Sequence, residues 1–357
     1  MLHHVTVRAS ASGRVNLIGE HTDYNGGFVL PMLIPVRTTV MIRPSRDRII
    51  TLRSDAPGME PIAGSLDDPR ARGMWSDYIV GAAETLMRRG MNLGGFDAHV
   101  ASEVPVGAGL ASSAALLVAT VRALRDAFAL EIDDREVARV AHEAEYSFVG
   151  ARVGRMDQLV CSIGHYGEAL HIDTRDMTTT RVPLSSIDLD IAVIDSGVRH
   201  DHASSGYNAR RAECEDAVSK LGLASLRDVE NEAALLGLPP VLRRRARHVF
   251  TENARVATAV EAIARGDPVA LGAIMNAGHV SLRDDFEVSI PAIDQIVTAA
   301  QKDPDVFGAR LTGGGFGGSV LVLALKGTGR GAALRAIEAS GATAAHLVVA
   351  ASTRLGV

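Results

Sequence analysis

Residues 13–27 read GRVNLIGEHTDYNGG, and Arg14, Glu20, His21 and Asp23 crowd charge beside Val15 and the apolar pair Leu17-Ile18. Residue types and spacing alone admit a solvated turn, a metal site of His21 with Asp23, or a polar ligand site. A second stretch, PVGAGLASSAA at 105–115, stands directly before a strongly helical segment. Gly107 and Gly109 let backbone N–H groups approach an anion closely. Ala108, Leu110, Ala111, Ser112 and Ser113 carry the loop into a helix start, whose free N–H groups favour negative charge. This is a phosphate cradle on physical grounds, with a tight packing turn as the alternative; no lysine follows, so it is not the GxxxxGK[ST] loop. A third stretch, ARLTGGGFGGS at 309–319, sets Gly313, Gly314, Gly315, Gly317 and Gly318 around Phe316. Ordering such a run loses conformational entropy, and close approach to a ligand is the expected compensation, a flexible hairpin tip the alternative.

Elements must hold these loops. The chain has 357 residues, which predicts two domains, and 47% hydrophobic with 22% charged residues fits a globular core. Lys and Arg total 37 against 42 Asp and Glu, a net charge of −5 that argues against nucleic-acid binding through phosphate contacts. No apolar stretch approaches the ~20 residues of a membrane span. The start, MLHHVTVRAS, lacks the apolar core of a secretory signal, so a cytoplasmic location is expected. Cys161 and Cys214 form no CxxC and read as buried thiols.

Strands are predicted at 28–43 and 47–53, with Pro31 and Pro35 suggesting an edge or a bulge, and a helix at 75–89. The segment 112–130 predicts a helix with serines at its N-cap and a buried first half; Asp133 or Asp134 caps the next helix, which runs to about Phe148 with Gly150 as its stop. Strands near 168–173 and 189–195 follow, then helices at 208–222, 241–265, 267–280 and 291–302. Strands 309–312 and 318–325, a helix at 330–339 and a strand at 344–351 complete an α+β pattern. The boundary falls near Pro183, giving domains 1–183 and 184–357.

The three stretches, in this order, resemble the galactokinase branch of the small-molecule kinase family that also contains homoserine, mevalonate and phosphomevalonate kinases. GRVNLIGEHTDYNGG followed by FVLP resembles the galactokinase signature, and the other two resemble the family's ATP-binding loop and C-terminal glycine motif. Further matches are MDQ at 156–158, VRH at 198–200, YNARRAECE at 207–215, RHVFTEN at 247–253 and SLRDDFEVS at 281–289. The resemblance implies a two-domain kinase fold. Its N-terminal domain would be similar to ribosomal protein S5 domain 2 and its C-terminal domain would be ferredoxin-like, with the site in the cleft between them.

It also implies roles. Glu20, His21 and Asp23 would hold sugar hydroxyls, joined by Gly154 and Tyr207; fixed acceptors suit this, since an epimer's hydroxyl points elsewhere. Asp157 would be the base or the orienter of the anomeric hydroxyl, and Arg14 would favour its carboxylate form and stabilise charge on the γ-phosphate. Ser113 and Glu145 would hold Mg²⁺, with Ser112 equally placed, and Trp75 would stack near the adenine unless it is a core aromatic. ATP and Mg²⁺ are thus the implied co-substrate and cofactor, and the implied reaction converts D-galactose to α-D-galactose 1-phosphate. A monomer or weak homodimer is expected, with no nucleic-acid or membrane partner.

Several positions depart from the pattern. Ser12 replaces a proline, Ala111-Ser112-Ser113 a serine triplet, and Asp195 and Gly206 an asparagine and a glutamate. Arg152 and Arg155, in ARVGRMDQ, bring two extra charges toward Asp157, and would touch phosphate, an acidic sugar substituent, or solvent. These departures keep open a kinase for N-acetylgalactosamine or an acidic hexose. A non-catalytic sugar sensor is the third reading, against which the uninterrupted GLASSAA, Arg14 and Asp157 all stand.

Overall fold

A computed structural model describes residues 5–199 and 203–353, and the side chains of all of these except 203–205. His200 of the VRH match lies outside the described residues. In chain order the elements begin with β1 (Val7–Asn16), β2 (Phe28–Val29), β3 (Pro31–Pro44), β4 (Ile49–Ser54) and β5 (Ile62–Ser65). Next come α1 (Asp77–Arg88), β6 (Phe96–Ser102), α2 (Ser112–Ala127), α3 (Asp134–Glu143) and α4 (Met156–Ile163). Then follow β7 (Glu168–Asp173), β8 (Thr178–Pro183), β9 (Leu189–Asp195), α5 (Ala203–Leu221), α6 (Pro240–Ala264), α7 (Pro268–Asp284) and α8 (Pro291–Gln301). The chain finishes with β10 (Val306–Thr312), β11 (Ser319–Leu325), α9 (Gly329–Ser340) and β12 (His346–Ser352). Among the described residues no helix is long and apolar enough to cross a membrane.

Two compact units emerge, and each draws on separate stretches of chain. The first comprises residues up to Arg14, Ile34–Val106 and Ala111–Gly164; the second comprises Val15–Leu33, Gly107–Leu110 and the chain from His165 onward.

In the first unit, β6 pairs antiparallel with β3 and parallel with β4, which pairs in turn with β5. Helix α2 packs against α1, α3 and α4. It is apolar round most of its circumference, and Ala114, Ala115, Leu117, Val118, Ala119 and Val121 are all buried. Each fully buried Leu or Val there contributes roughly 1.5–3 kcal/mol. Arg122 on the same helix donates to the Ser10 carbonyl at 3.0 Å and to that of Ser162, fixing β1 and α4 against it.

Two local expectations need correction. The serines do not cap α2: the N-cap is Ala111, in the left-handed region at φ 61°, with no side-chain hydrogen bond. The glycine-rich loop itself turns the chain into the helix, which leaves the serine hydroxyls for other partners. Strand β3 is not an edge, because it pairs with β6 on one side and, at Met32, with β7. Pro31 and Pro35 are tolerated because the β6 ladder begins only at Thr38. By contrast Asp133 does cap α3, accepting from the Glu136 N–H at 2.7 Å, and Gly150 stops the following turn at φ 83°.

In the second unit, β10, β11, β9 and β12 form a four-stranded antiparallel sheet in that order. Strand β11 is buried from Ser319 to Ala324, so its apolar run does not alternate. Its core is shared by Ile194, Phe286, Ile296, Leu311, Val320 and Val322 with α5, α6, α8 and α9 residues such as Ala217, Leu242, Val297 and Ala333. Strands β2, β7 and β8 pair antiparallel in the same unit.

Candidate active site

The first unit brings together the residues expected to move a phosphoryl group. Arg14, near the end of β1, meets Asp157 in the first turn of α4 with a bidentate ion pair: Nε donates to Oδ1 at 2.8 Å and Nη2 to Oδ2. Arg14 is 7% exposed and Asp157 27%, so the guanidinium is fixed in the protein while the carboxylate remains reachable. Planar fork-to-fork pairing is the strong, orienting form of this contact.

Glu145 is buried nearby, and burial raises its carboxyl above the ordinary value against hydrogen bonds from Ser113 and Gln158. Gln158 Nε2 donates to Glu145 Oε2 at 2.6 Å, whereas Gln158 Oε1 is buried with no hydrogen-bond partner. A serine hydroxyl, a carboxylate and an unsatisfied buried carbonyl oxygen are hard donors of the kind Mg²⁺ takes. Among the described residues no group of three or more His, Cys, Asp or Glu is placed to hold a metal ion.

Trp75 is half-buried in the same unit. Its chain neighbours Ser76 and Asp77 line a pocket with Ile50, Leu52, Ile62 and Ser65. Asp77 Oδ2 accepts from the backbone N–H groups of Arg72, Gly73 and Met74 at 2.8, 2.7 and 3.0 Å, fixing the loop that carries Trp75. Gly154 lies in this unit too, just ahead of α4, and Arg152 and Arg155 are exposed.

The second unit gathers the remaining candidates. Glu20 is buried and meets the Arg310 guanidinium, and its Oε1 accepts from the Gly313 N–H at 3.3 Å. Arg310, fully buried on β10, also reaches Glu252 at 3.3 Å and donates to the Leu17 carbonyl at 2.9 Å. Glu252 in turn receives the Gly19 N–H at 2.9 Å and Arg255 Nε at 2.7 Å. The two carboxylates diverge for a physical reason. Burial pushes Glu20 up to about 7 despite Arg310. Burial also opposes ionisation of Glu252, but Arg310 and Arg255 together bring it down to about 2.

His21 sits in the left-handed region at φ 63°, a costly conformation for a non-glycine residue. That backbone aims its ring among Tyr24, Tyr207 and Phe286, whose centroids lie 5.9, 5.5 and 4.6 Å away. Tyr24 Oη contacts Nδ1 at 3.0 Å, while Nε2 is buried without a hydrogen bond of normal geometry. Burial, followed by the His248 imidazole, lowers its pKa to about 3, so the ring is neutral at physiological pH. Asp23 opens a single helical turn that ends at Gly26, φ 66°, and is half-buried.

The glycine run is ordered by backbone packing. A Cβ on Gly313, φ 91°, would stand 2.8 Å from the Gly109 carbonyl oxygen, and one on Gly315 2.6 Å from Val288 Cβ. A Cβ on Gly317 would meet the Val198 carbonyl oxygen at 2.6 Å, and one on Gly314 would touch the Tyr207 ring at 3.5 Å. Close approach of other chain segments thus accounts for Gly313, Gly315 and Gly317, whereas a Cβ on Gly314 would make only an ordinary contact. Gly206 has a similar cause: the Phe316 ring would stand 2.7 Å from its Cβ, leaving no room for a glutamate.

Residues 3–44 match the galactokinase galactose-binding signature, 77–165 the GHMP kinases N terminal domain and 259–343 the GHMP kinases C terminal domain. The galactokinase of Chloroflexus aurantiacus is 45% identical over 90% of this chain and 84% of its own length. The chain belongs to the galactokinase family. A second galactokinase, from Streptomyces coelicolor, is 42% identical over 92% of this chain and 87% of its own. The crystal structure of Lactococcus lactis galactokinase complexed with galactose has a TM-score of 0.90 at 31% identity, covering 98% of this chain and 95% of that one. Methanococcus jannaschii mevalonate kinase, at TM-score 0.72 and 18% identity over 98% of each chain, shares the two-domain fold.

For a galactokinase-family chain, sequence reasoning passed over Arg310 and Glu252. The signal was present, since an arginine inside VFGARLT breaks an otherwise apolar strand, and a buried charge needs a buried partner. Gln158 was likewise visible within MDQ, but only the fold turns it toward Glu145.

Proposed function

We infer that the protein is an ATP-dependent kinase that transfers the γ-phosphoryl group to the anomeric hydroxyl of D-galactose, giving α-D-galactose 1-phosphate and ADP. The kinase family implies ATP as co-substrate. The observation that carries the chemistry is the bidentate Arg14–Asp157 pair, in which a reachable carboxylate is aimed by a buried guanidinium. Asp157 takes or orients the proton of the anomeric hydroxyl as that oxygen bonds to the γ-phosphorus and the bond to the ADP oxygen breaks. Arg14 offsets negative charge on the transferring group. Ser113 and Glu145 are the residues that would hold Mg²⁺, which would supply positive charge against the phosphates.

Sugar recognition is assigned to Glu20, His21, Asp23, Gly154 and Tyr207. At its lowered pKa, His21 meets hydroxyls as a neutral imidazole, and its buried Nε2, without a hydrogen bond of normal geometry, supports that role. The loop at 107–113 is assigned to the phosphates, and the pocket beside Trp75 to the base. A monomeric or weakly dimeric cytoplasmic enzyme without nucleic-acid or membrane partners completes the proposal. The test is ADP release from ATP and Mg²⁺ with galactose, glucose, N-acetylgalactosamine, galacturonate, mevalonate and homoserine supplied separately. Turnover with galactose is expected. Silence with galactose beside turnover with another sugar would move the substrate, and silence with all would remove the kinase reading.

A further inference from the structure

We propose that His248 is a positioning residue for the sugar site: through the Glu20 carbonyl and the Phe286 ring it holds His21 in its left-handed backbone conformation. The proposal rests on the reading of His21 as a galactose contact.

A histidine at φ 63° persists only where its surroundings over-determine it. Here the peptide groups on both sides of His21 are held. The His21 carbonyl accepts from Asn25 Nδ2 at 2.8 Å, four residues away in the same turn. The Glu20 carbonyl accepts from His248 Nε2 at 3.1 Å, a donor that helix α6 brings from 228 residues along the chain.

The chemistry of the His248 ring is fixed by its partners. The ring is fully buried, and a carbonyl oxygen only accepts, so Nε2 carries the proton. Burial lowers the pKa to about 4, which leaves the imidazole neutral at physiological pH and makes Nδ1 an acceptor. The Ser281 hydroxyl, 2.9 Å away, donates to Nδ1 and so sets both tautomer and ring plane. Asp285, whose Oδ2 lies 3.3 Å from Ser281 Oγ, takes Arg247 Nε at 3.0 Å on its other oxygen.

Packing supplies the second constraint. The Phe286 ring touches both imidazoles, with centroids 4.6 Å from His21 and 4.5 Å from His248. Its backbone is clamped in turn: the Phe286 carbonyl accepts from Arg210 Nε at 2.7 Å, and the Asp285 carbonyl from buried Arg245 Nη1 at 2.5 Å. The Glu20 carboxylate is held separately, by Arg310 and the Gly313 N–H, so a fault at His248 falls on His21. The runs RHVFTEN and SLRDDFEVS thereby acquire a task, since one supplies His248 and the other Ser281 and Phe286.

Two variants separate the hydrogen bond from the packing. His248→Gln can place an amide N–H where Nε2 stood, whereas His248→Asn can still accept from Ser281 but has no donor for the Glu20 carbonyl; both lose the ring. Calorimetry on the full chain should show galactose binding about 10-fold weaker in His248→Asn and within about 3-fold of wild type in His248→Gln, with ATP affinity kept within about 2-fold in both. On a His21→Ala background, His248→Asn should cost less than about 2-fold more, because it acts through His21. Side-chain ¹⁵N NMR of the wild type reads the bond without a mutation, and His248 should be the Nε2–H tautomer at pH 7. An Nδ1–H tautomer, wild-type galactose affinity in His248→Asn, equal losses in the Asn and Gln variants, or a full loss retained on the His21→Ala background would each overturn the proposal alone. Wild-type galactose affinity in His21→Ala itself would overturn the reading of His21 as a sugar contact, and the proposal with it.

Discussion

Glu20→Gln isolates the electrostatic cost of burying a carboxylate beside Arg310. Glu20 rises from the ordinary 4.5 to about 7 on folding, chiefly because burial disfavours its charge. A raised native pKa means that the native state binds the proton more tightly, so this group's contribution is fully present below pH 4.5 and is lost as pH rises through about 7. At about 1.4 kcal/mol per pH unit, the loss amounts to about 3 kcal/mol.

Other groups titrate on folding, with the opposite sign. Glu252, at about 2, adds stability above 4.5 that is lost as pH falls through 2. His21, His248 and His279, lowered chiefly by burial to about 3, 4 and 4, add stability that is lost as pH falls from 6.5 through those values. The absolute profile therefore mixes several groups, and the difference between wild type and Glu20→Gln removes all but one. Urea unfolding at half-unit steps from about pH 4 to 8 measures it. The variant should gain on the wild type by about 3 kcal/mol between pH 4.5 and 8, because glutamine keeps the shape and loses the titration. Two parallel profiles over that window would refute the assignment of the burial cost to Glu20.

Asp157→Asn should lower kcat by about 10²–10⁴ while galactose affinity, measured by calorimetry, stays within a few-fold, since the amide keeps the Arg14 contact in part but takes no proton. Arg310→Met leaves Glu20 and Glu252 buried without their shared cation, and denaturant unfolding at pH 7 should register a loss of about 3–5 kcal/mol. Gly313→Ala places a methyl against the Gly109 backbone at a left-handed φ, and the Tm should fall by more than the ~4 °C that accompanies 1 kcal/mol in domains of this size. Glu145→Gln should raise the Mg²⁺ concentration for half-maximal turnover about 10-fold while the KM for galactose is unchanged.

Local signals in the sequence were sufficient for much of this molecule. Helix α2, the Asp133 cap, the Gly150 stop and the strands β9 and β11 depend on neighbours within a few residues, so periodicity and capping chemistry determine them. The motif residues were legible for the same reason, since Arg14, Glu20, His21 and the glycine loops lie in short contiguous runs. Strands β1, β5, β6 and β8 were not read from the sequence. Strands β5 and β8 are short and partly exposed, and β1 and β6 owe their strand form to the neighbours they pair with.

Tertiary structure decided which distant residues share a charge. Arg14 meets Asp157 across 143 residues of sequence, and Arg310 meets Glu252 across 58. It also decided that Glu20 and Glu252, identical side chains around one guanidinium, titrate near 7 and near 2. A residue's type sets what it can donate or accept; burial and the count of cations around it set the protonation state in which it does so.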